Sequence, residues 1–336
     1  MMSFALFNNK GGIGKTTLVY HVTWMLQELG YRVVAVDLDP QANLSSMFLS
    51  EDRLEEIWDP DAPGGTLFQA VRPLLRGTGD ISEPHLEPIE ERLGLLVGDL
   101  ALSEFEDSLA ESWSKCLAGD ERSFRVMSAF GRLAGRAAHA FEADIVLLDV
   151  GPNLGAINRA ALIASDFVVV PLGPDLFSLQ GLRNLGPRLR TWREGWDQRR
   201  KLLPHAADLD LPEGRMQPLG YVVMRYSIRL DRPVRAYERW LNRIPGEYRE
   251  SVLALSGQPA SRDEHRLAQL KDYRSLMPLA QEANKPMFLL KPADGAIGGH
   301  QQAVHDCYMD FKGLAQIILD RAHTAHKDKA LADLLS

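Results

Sequence analysis

Cysteine is scarce in this sequence, and the two that occur, Cys116 and Cys307, are far apart. Their spacing suits neither a disulfide framework nor a cysteine metal site, so we expect reduced thiols in a cytoplasmic protein. The N-terminus lacks the basic and apolar regions of a signal peptide. No apolar run approaches the roughly 18 residues of a membrane-spanning helix. These absences argue against a secreted disulfide scaffold and against a membrane-spanning protein.

Basic residues are scarce in one segment. Residues 50–112 contain 16 Asp and Glu but only four Arg. The rest of the chain holds 29 acids and 34 bases, so it is mildly basic although the net charge of the whole is −7. We interpret the acidic charge as a solvated face rather than a docking site. The basic remainder leaves room for a nucleic-acid surface.

A glycine-rich loop follows the apolar run at residues 4–7 and precedes an amphipathic pattern over residues 15–29. Strand, glycine turn and helix N-terminus together make an anion site, because unpaired N–H groups meet the positive end of the helix dipole. In this pattern Lys15 reaches the β- and γ-phosphates of a nucleotide, and the Thr16 hydroxyl ligates Mg²⁺. A plain turn that opens a core helix is the disfavoured alternative. The loop is deviant, with Asn9 in place of the first glycine and a second lysine, and its residues are Lys10, Gly11, Gly12, Ile13, Gly14, Lys15, Thr16 and Thr17.

Two further apolar runs end in aspartate. Residues 32–37 complete a strand–helix–strand unit, which builds parallel sheet, and they lead into Asp39 and Pro40. Carboxylates at the ends of parallel strands lie where open α/β sheets bind ligands, although Asp and Pro also serve in plain turns. Residues 144–149 have the form of a Walker B strand, whose terminal Asp149 holds Mg²⁺, usually through water. Because the same sequence contains the glycine-rich loop, we interpret both aspartate runs as parts of a functional site rather than as plain turns.

These three motifs resemble those of the ParA/MinD/Soj family of deviant Walker A ATPases. The resemblance covers most of the chain and is strongest over residues 3–47 and 144–185. It implies ATP and Mg²⁺ as cofactors, a Lys10 that crosses a dimer interface to the partner's nucleotide, and an Asp39 that activates the attacking water. It also implies adenine contacts near Met224, Arg225, Pro292 and Asp294.

We therefore predict a doubly wound, mostly parallel α/β sheet flanked by helices. One ATPase domain is expected over residues 1–336, with an acidic, loop-rich segment at about 50–112 and an arginine-rich helical addition at about 195–262. Further strands are predicted at residues 95–97, 167–171, 221–224 and 286–290. Helices are predicted at residues 66–75, 100–113, 120–141, 156–164, 182–192 and 299–319.

Two segments are rich in arginine. Residues 183–201 carry seven bases against two acids, and residues 225–249 carry seven arginines against three acids. In the second segment a three- and four-residue spacing predicts a stripe on one helix, formed by Arg232, Arg235, Arg239 and Arg243. Such a stripe binds DNA phosphates without reading sequence, or it is a solvated, salt-bridged face. The residues alone leave these two interpretations even, and the family resemblance favours DNA.

The predicted output is an ATP-hydrolysing homodimeric switch that acts in plasmid or chromosome partitioning. The resemblance implies slow turnover, stimulation by a ParB-like partner, non-specific DNA binding and a cytoplasmic, nucleoid-associated location. A MinD-like membrane-associated ATPase is one alternative, but residues 330–335 lack the basic amphipathic pattern of a membrane anchor. An ATP-dependent enzyme that activates a carboxylate on the same fold is the other.

Overall fold

The computed structural model describes residues 1–59, 65–203, 208–226, 234–256, 263–273 and 275–335. The apolar runs form the strands of one sheet, which are β1 (Met2–Leu6), β2 (Val33–Asp37), β3 (Glu87–Glu90), β4 (Leu93–Leu96), β5 (Ile145–Asp149), β6 (Phe167–Leu172), β7 (Gln217–Tyr226) and β8 (Arg266–Lys271). Across the sheet the order is β3-β4-β2-β5-β1-β6-β7-β8. β3 and β4 pair antiparallel, and the other neighbours pair in parallel.

Helices cover both faces of the sheet. They are α1 (Lys15–Glu28), α2 (Asn43–Phe48), α3 (Glu51–Trp58), α4 (Leu67–Arg76), α5 (Phe105–Lys115), α6 (Glu121–Met127), α7 (Ala129–Ala140), α8 (Ala156–Ile163), α9 (Leu176–Arg200), α10 (Val234–Leu241), α11 (Ile244–Glu247), α12 (Met277–Glu282) and α13 (Gly299–Leu335). Phe4 and Leu6 of β1 pack in a cluster with α1 and α13, whereas Ala5 and Phe7 pack in one with α8 and α9. Both faces are buried, which explains the continuous apolar runs of the parallel strands. The predicted doubly wound α/β fold is confirmed.

The register brings the ends of three strands to one edge. Asp37 of β2 lies opposite Asp149 of β5, and Asp149 lies opposite Leu6 of β1. The glycine-rich loop begins directly after β1. The loop and both aspartate runs therefore share the C-terminal edge of the sheet, where doubly wound folds bind their ligands.

The prediction of a strand over residues 286–290 is wrong. Met287–Leu289 form a 3₁₀ turn after Pro286, and the sheet ends with β8 instead. The N–H of Met287 donates to Nε2 of His21 rather than to a neighbouring strand. Phe288 packs on Phe311 of α13. The run is apolar because it lies in the core, not because it belongs to the sheet.

Several helix boundaries also differ from the prediction. The helix expected over residues 120–141 is divided into α6 and α7 at Ser128, whose hydroxyl donates to the Phe124 carbonyl. Residues 100–104 form a 3₁₀ turn before α5, and α9 and α13 extend beyond their predicted ends. The acidic segment contributes the edge strand β3. Among the described residues, no helix combines the length and hydropathy needed to cross a membrane.

Candidate functional site

The loop between β1 and α1 leaves a helix N-terminus open. Gly12 (φ +72°) and Gly14 (φ +89°) adopt left-handed backbone conformations that favour glycine. Gly14 is the N-cap of α1, and as a glycine it offers no side chain to the first N–H groups of the helix. The first N–H groups of α1 are therefore available to an anion, which the helix dipole also favours. The residues from Gly11 to Thr17, except the buried Ile13, line a cavity of about 620 Å³.

Lys15 is buried and lines this cavity. Burial lowers the pKa of its ammonium, and the carboxylates of Asp149 and Asp39 oppose that shift. Lys15 and the residues at the open end of the helix line the same cavity. Such an arrangement suits an anion with several charged oxygens, such as a polyphosphate.

The two aspartates that face each other across β2 and β5 are fully buried. Burial first, and then repulsion from Asp37, raise the pKa of Asp149 to about 8. Burial raises the pKa of Asp37 to about 7, although Ser45 donates its N–H (2.8 Å) and its hydroxyl (2.7 Å) to Oδ2. Within the described part of the chain, no hydrogen bond of normal geometry reaches either carboxylate oxygen of Asp149, although interaction with the Thr16 side chain partly opposes the rise of its pKa.

These buried oxygens fit a hard divalent cation. Mg²⁺ prefers oxygen ligands and commonly takes part of its coordination from phosphates. Thr16 interacts with the Asp149 carboxylate and lines the cavity that Lys15 also lines. No cluster of three or more His, Cys, Asp or Glu that could hold a metal occurs in the described residues. The residues present therefore fit Mg²⁺ together with a phosphate ligand, with Thr16 and Asp149 as the protein's contribution.

Asp39 lies at the rim of the cavity and is largely buried. Its Oδ1 accepts the N–H of Gln41 at 3.1 Å, and its carbonyl accepts the N–H of Ala42. Asp39 therefore stabilises a turn and also lies close enough to Lys15 to interact with its ammonium. The interpretation of this run as a turn and its interpretation as part of a functional site are compatible. A Cβ at Gly151, in the turn after β5, would lie 3.5 Å from Oδ1 of Asp39.

The buried side chain of Asn158 on α8 hydrogen-bonds to the turn that follows β5. Its Oδ1 accepts the N–H of Gly151 at 3.1 Å, and its amide donates to the carbonyls of Gly151 (2.9 Å) and Asn153 (2.8 Å). Pro152, at the tip of the turn, lines the same cavity as Lys15. The sequence motifs did not single out Asn158, because its contacts become visible only when the turn is folded.

Lys10 lies outside the cavity in this single chain. Its Nζ is 2.6 Å from Oδ2 of Asp175, the N-cap residue of α9, and 5.7 Å from the ring centroid of Phe177. Both members of the ion pair are partly exposed. The role of Lys10 across a dimer stays a prediction.

His21 is a buried residue of this site that sequence reasoning missed. Its Nδ1 donates to the Thr17 carbonyl at 2.7 Å, and its Nε2 accepts the N–H of Met287 at 3.1 Å. The ring therefore ties the helix after the phosphate loop to the 3₁₀ turn. Burial lowers the pKa of His21 to about 4, so the neutral ring is the folded form.

We expect the stabilising effect of His21 to fade in acid. Its folded pKa lies below the value near 6.5 of an unfolded histidine, so stability present above about pH 6.5 is lost as the pH falls towards 4, by at most about 1.4 kcal/mol per pH unit. Urea unfolding of the wild type and His21→Gln at pH 7.5, 6 and 5 checks this. The wild type's advantage should shrink with falling pH. Asp37 and Asp149 titrate in both proteins and cancel, so a pH-independent difference would contradict the assignment.

A second cavity, of about 480 Å³, adjoins the phosphate loop beyond Gly14 and Thr17. Its walls are rich in methionine and aromatic side chains, namely Met224, Tyr273, Met277, Met287 and Phe311. Pro292 and Asp294 line neither of these two cavities in the described chain. Asp294 instead pairs with Lys285 at 2.8 Å. Arg225 lies in β7, and its side chain is outside the described part.

The arginines of the predicted stripe are only partly described. Arg232 lies outside the described residues, and Arg235 lies in α10 with its side chain likewise outside them. Arg239 of α10 and Arg243 just after it are exposed. Their guanidinium carbons lie 5.3 and 5.2 Å from the ring centroid of Trp240, which packs against the core. Two cations thus flank one aromatic ring at the surface.

The other arginine-rich segment mainly makes contacts within the protein. Arg190 donates to the Ser251 and Val252 carbonyls, Arg193 to the Met216 carbonyl, and Arg199 to the Trp113 carbonyl. Arg183 pairs with Glu247 at 2.8 Å. These arginines follow the structural interpretation, whereas Arg188 of the same segment is exposed, as are Arg239 and Arg243 of the predicted stripe.

The chain matches an AAA domain family over residues 1–201. It is 31% identical over 188 residues to a putative replication protein A of Rhizobium rhizogenes. The aligned region covers 53% of this chain and 41% of that protein. It is also 31% identical over 199 residues to the chromosome-partitioning ATPase Soj of Thermus thermophilus. That aligned region covers 59% of this chain and 66% of that protein. The chain therefore spans less than two thirds of the length of these curated relatives.

Among solved structures, the fold is similar to that of an Asp-to-Ala variant of McdA from Cyanothece in complex with ATP. The TM-score is 0.63, and the match covers 95% of this chain and 96% of that one. At 15% identity the likeness concerns the fold alone.

Proposed function

We propose that this chain, which belongs to the AAA domain family and is similar to ParA and Soj partitioning proteins, hydrolyses ATP as a dimeric switch that holds DNA during plasmid or chromosome partitioning. One observation carries the proposal. Lys15, in the first turn of α1, interacts with the carboxylates of Asp149 and Asp39 at the edge of the sheet where ligands bind.

The proposed reaction transfers the γ-phosphoryl group of ATP to water. The water oxygen forms a bond to the γ-phosphorus while the bond to the β–γ bridging oxygen breaks, and the water proton passes to the released phosphate. Lys15 and the loop N–H groups stabilise charge on the phosphate oxygens. The Asp39 carboxylate accepts a hydrogen bond from the water and orients it. Mg²⁺, held by Thr16 and Asp149, would neutralise phosphate charge when bound.

We assign the adenine to the methionine-rich cavity. Met224 borders that cavity and packs on the phosphate loop, since its Cε lies 3.5 Å from an ideal Cβ at Gly14. Apolar walls with few polar groups are typical of sites for planar ligands. The predicted contacts at Pro292 and Asp294 are not part of this assignment.

Lys10 acts across the dimer in this proposal. Its ion pair with Asp175 is partly exposed, and such pairs contribute at most about 1 kcal/mol. The triphosphate of a second copy can therefore compete for the ammonium. Light scattering should show a monomer with ADP and a dimer with ATP, and a chain that is monomeric with ATP would contradict the dimeric switch.

The exposed cations around Trp240 are the proposed DNA contact. The double substitution Arg239→Ala, Arg243→Ala should weaken binding to duplex DNA of any sequence and reduce the slope of log K against log salt by about 2. Fluorescence anisotropy with ATP across a salt series measures both. The control, Arg76→Ala with Arg92→Ala, removes the same charge from two exposed positions in the acidic segment. An equal loss of DNA affinity in both double variants would show a general charge effect and contradict the proposed DNA contact at Arg239 and Arg243.

In this proposal ATP turnover is slow without a partner and is accelerated by a ParB-like partner, and the protein is cytoplasmic and nucleoid-associated. The two alternatives differ in what stimulates turnover. Stimulation by anionic lipid vesicles and not by DNA would favour a MinD-like ATPase. A strict requirement for a small carboxylic acid would favour an enzyme that activates carboxylates.

A further inference from the structure

Helix α8 is capped by a residue from another helix. Its N-cap, Gly155, has no side chain to satisfy the first N–H groups. The carboxylate of Glu106 on α5 takes that place. Its Oε1 accepts the N–H of Ala156 at 2.5 Å, and its Oε2 accepts the N–H of Ile157 at 2.8 Å. A carboxylate at this end also complements the helix dipole. Both the hydrogen bonds and the dipole interaction therefore stabilise the contact.

A second contact fixes α5 against the same helix. The guanidinium carbons of Arg159 on α8 and Arg199 on α9 lie 4.5 and 3.7 Å from the ring centroid of Trp113, two turns further along α5. Stacked guanidinium groups on an indole are favourable, the more so when shielded from water. Helix α5 therefore braces α8 at its N-terminus and along its length.

The capped end of α8 is also the end of the turn that faces the phosphate cavity. The turn runs from Gly151 to Gly155, between Asp149 and the first residue of α8. Asn158 of α8 holds Gly151 and Asn153, so the turn follows any shift of the helix. Pro152 and Asp39 border the same cavity. The placement of α8 thus fixes the backbone beside the proposed catalytic carboxylate.

We propose that Glu106 is a positioning residue for ATP hydrolysis. It fixes the start of α8 and, through Asn158, the turn beside Asp39. The acidic segment that contains Glu106 then contributes to the active site as well as to the surface. This inference rests on the proposed ATPase function.

Two substitutions disturb the contact independently. Glu106→Gln keeps the size of the side chain but leaves one acceptor and no charge for two N–H groups. Gly155→Ala keeps Glu106 but would place a Cβ 2.6 Å from its Oε1 and 2.8 Å from Oδ1 of Asn153, so it disturbs the cap and the turn together. Since small misplacements in an active site cost rate steeply, we expect each to lower kcat about tenfold and to change the KM for ATP by less than about twofold. Glu111→Gln, an exposed position on α5, is the control and should keep the wild-type kcat.

The readouts separate the possible failures. Circular dichroism melting of each variant without nucleotide reports stability, and amide exchange at Ala156 and Ile157 in the wild type should be slow and become faster in Glu106→Gln. A kcat that stays at the wild-type value in either folded variant, or slow exchange that is unchanged by Glu106→Gln, would overturn the positioning role. Failure of the wild type to hydrolyse ATP would instead overturn the proposed function.

Discussion

Replacing Lys15 with alanine should weaken ATP binding by at least about 100-fold, because charge-assisted hydrogen bonds of about 1.5–3 kcal/mol each are lost to two phosphates. The loss should be large since Lys15 is buried at the open end of α1. The other lysine of the loop, Lys10, does not replace its charge, because Lys10 lies outside the cavity that Lys15 lines. Isothermal titration with Mg-ATP measures the change.

A matched substitution separates this effect from a general loss of charge. Lys201→Ala removes an exposed ammonium that pairs with Asp197 on α9, far along the chain from the loop. It should bind ATP as the wild type does. ATP affinity equal to the wild type in a folded Lys15→Ala protein would show that the loop is a structural turn and not a phosphate site.

Asp39→Ala should separate binding from hydrolysis. Loss of a residue that orients the attacking water lowers rates by about 10²–10⁴-fold, while ATP affinity should stay within about threefold, since Asp39 makes no favourable charge contact with phosphate. The variant should then remain dimeric in ATP. Phosphate release in a single turnover measures the step directly.

A second variant accounts for the turn that Asp39 also stabilises. Its Oδ1 accepts the N–H of Gln41, a bond that contributes about 1 kcal/mol to stability. Asp39→Asn retains an acceptor for that N–H but not the carboxylate, so it should be folded like the wild type and as slow as Asp39→Ala. Wild-type turnover in Asp39→Asn would remove Asp39 from the catalytic step.

The phosphate loop was predictable because its chemistry is local. The positive φ values at Gly12 and Gly14, the lysine and the helix start all follow one another in the chain. The convergence of Asp37, Asp39 and Asp149 was also predictable, since apolar runs that end in aspartate place their carboxylates at one edge of a parallel sheet.

Contacts between distant residues could not be predicted from the sequence. Glu106 lies 50 residues from Ala156, and His21 lies 266 residues from Met287. Nothing in the local pattern of either residue identifies its partner. The prediction of a strand at residues 286–290 failed for a related reason, because a buried 3₁₀ turn and a buried strand are equally apolar.

The arginines show where composition misleads. Spacing alone could not separate Arg199, which is stacked on Trp113, from Arg239, which is exposed beside Trp240. Both lie near a tryptophan in a basic stretch. Only packing decides which guanidinium groups meet carbonyl oxygens and which face solvent.

Binding to duplex DNA of random sequence, measured with ATP and with ADP across a salt series, tests the central claim most directly. The switch predicts tight binding with ATP, weak binding with ADP, and an ATP-state affinity that falls steeply with salt. Equal binding in the two nucleotide states, or no binding in either while ATP is still bound, would contradict a nucleotide-controlled hold on DNA.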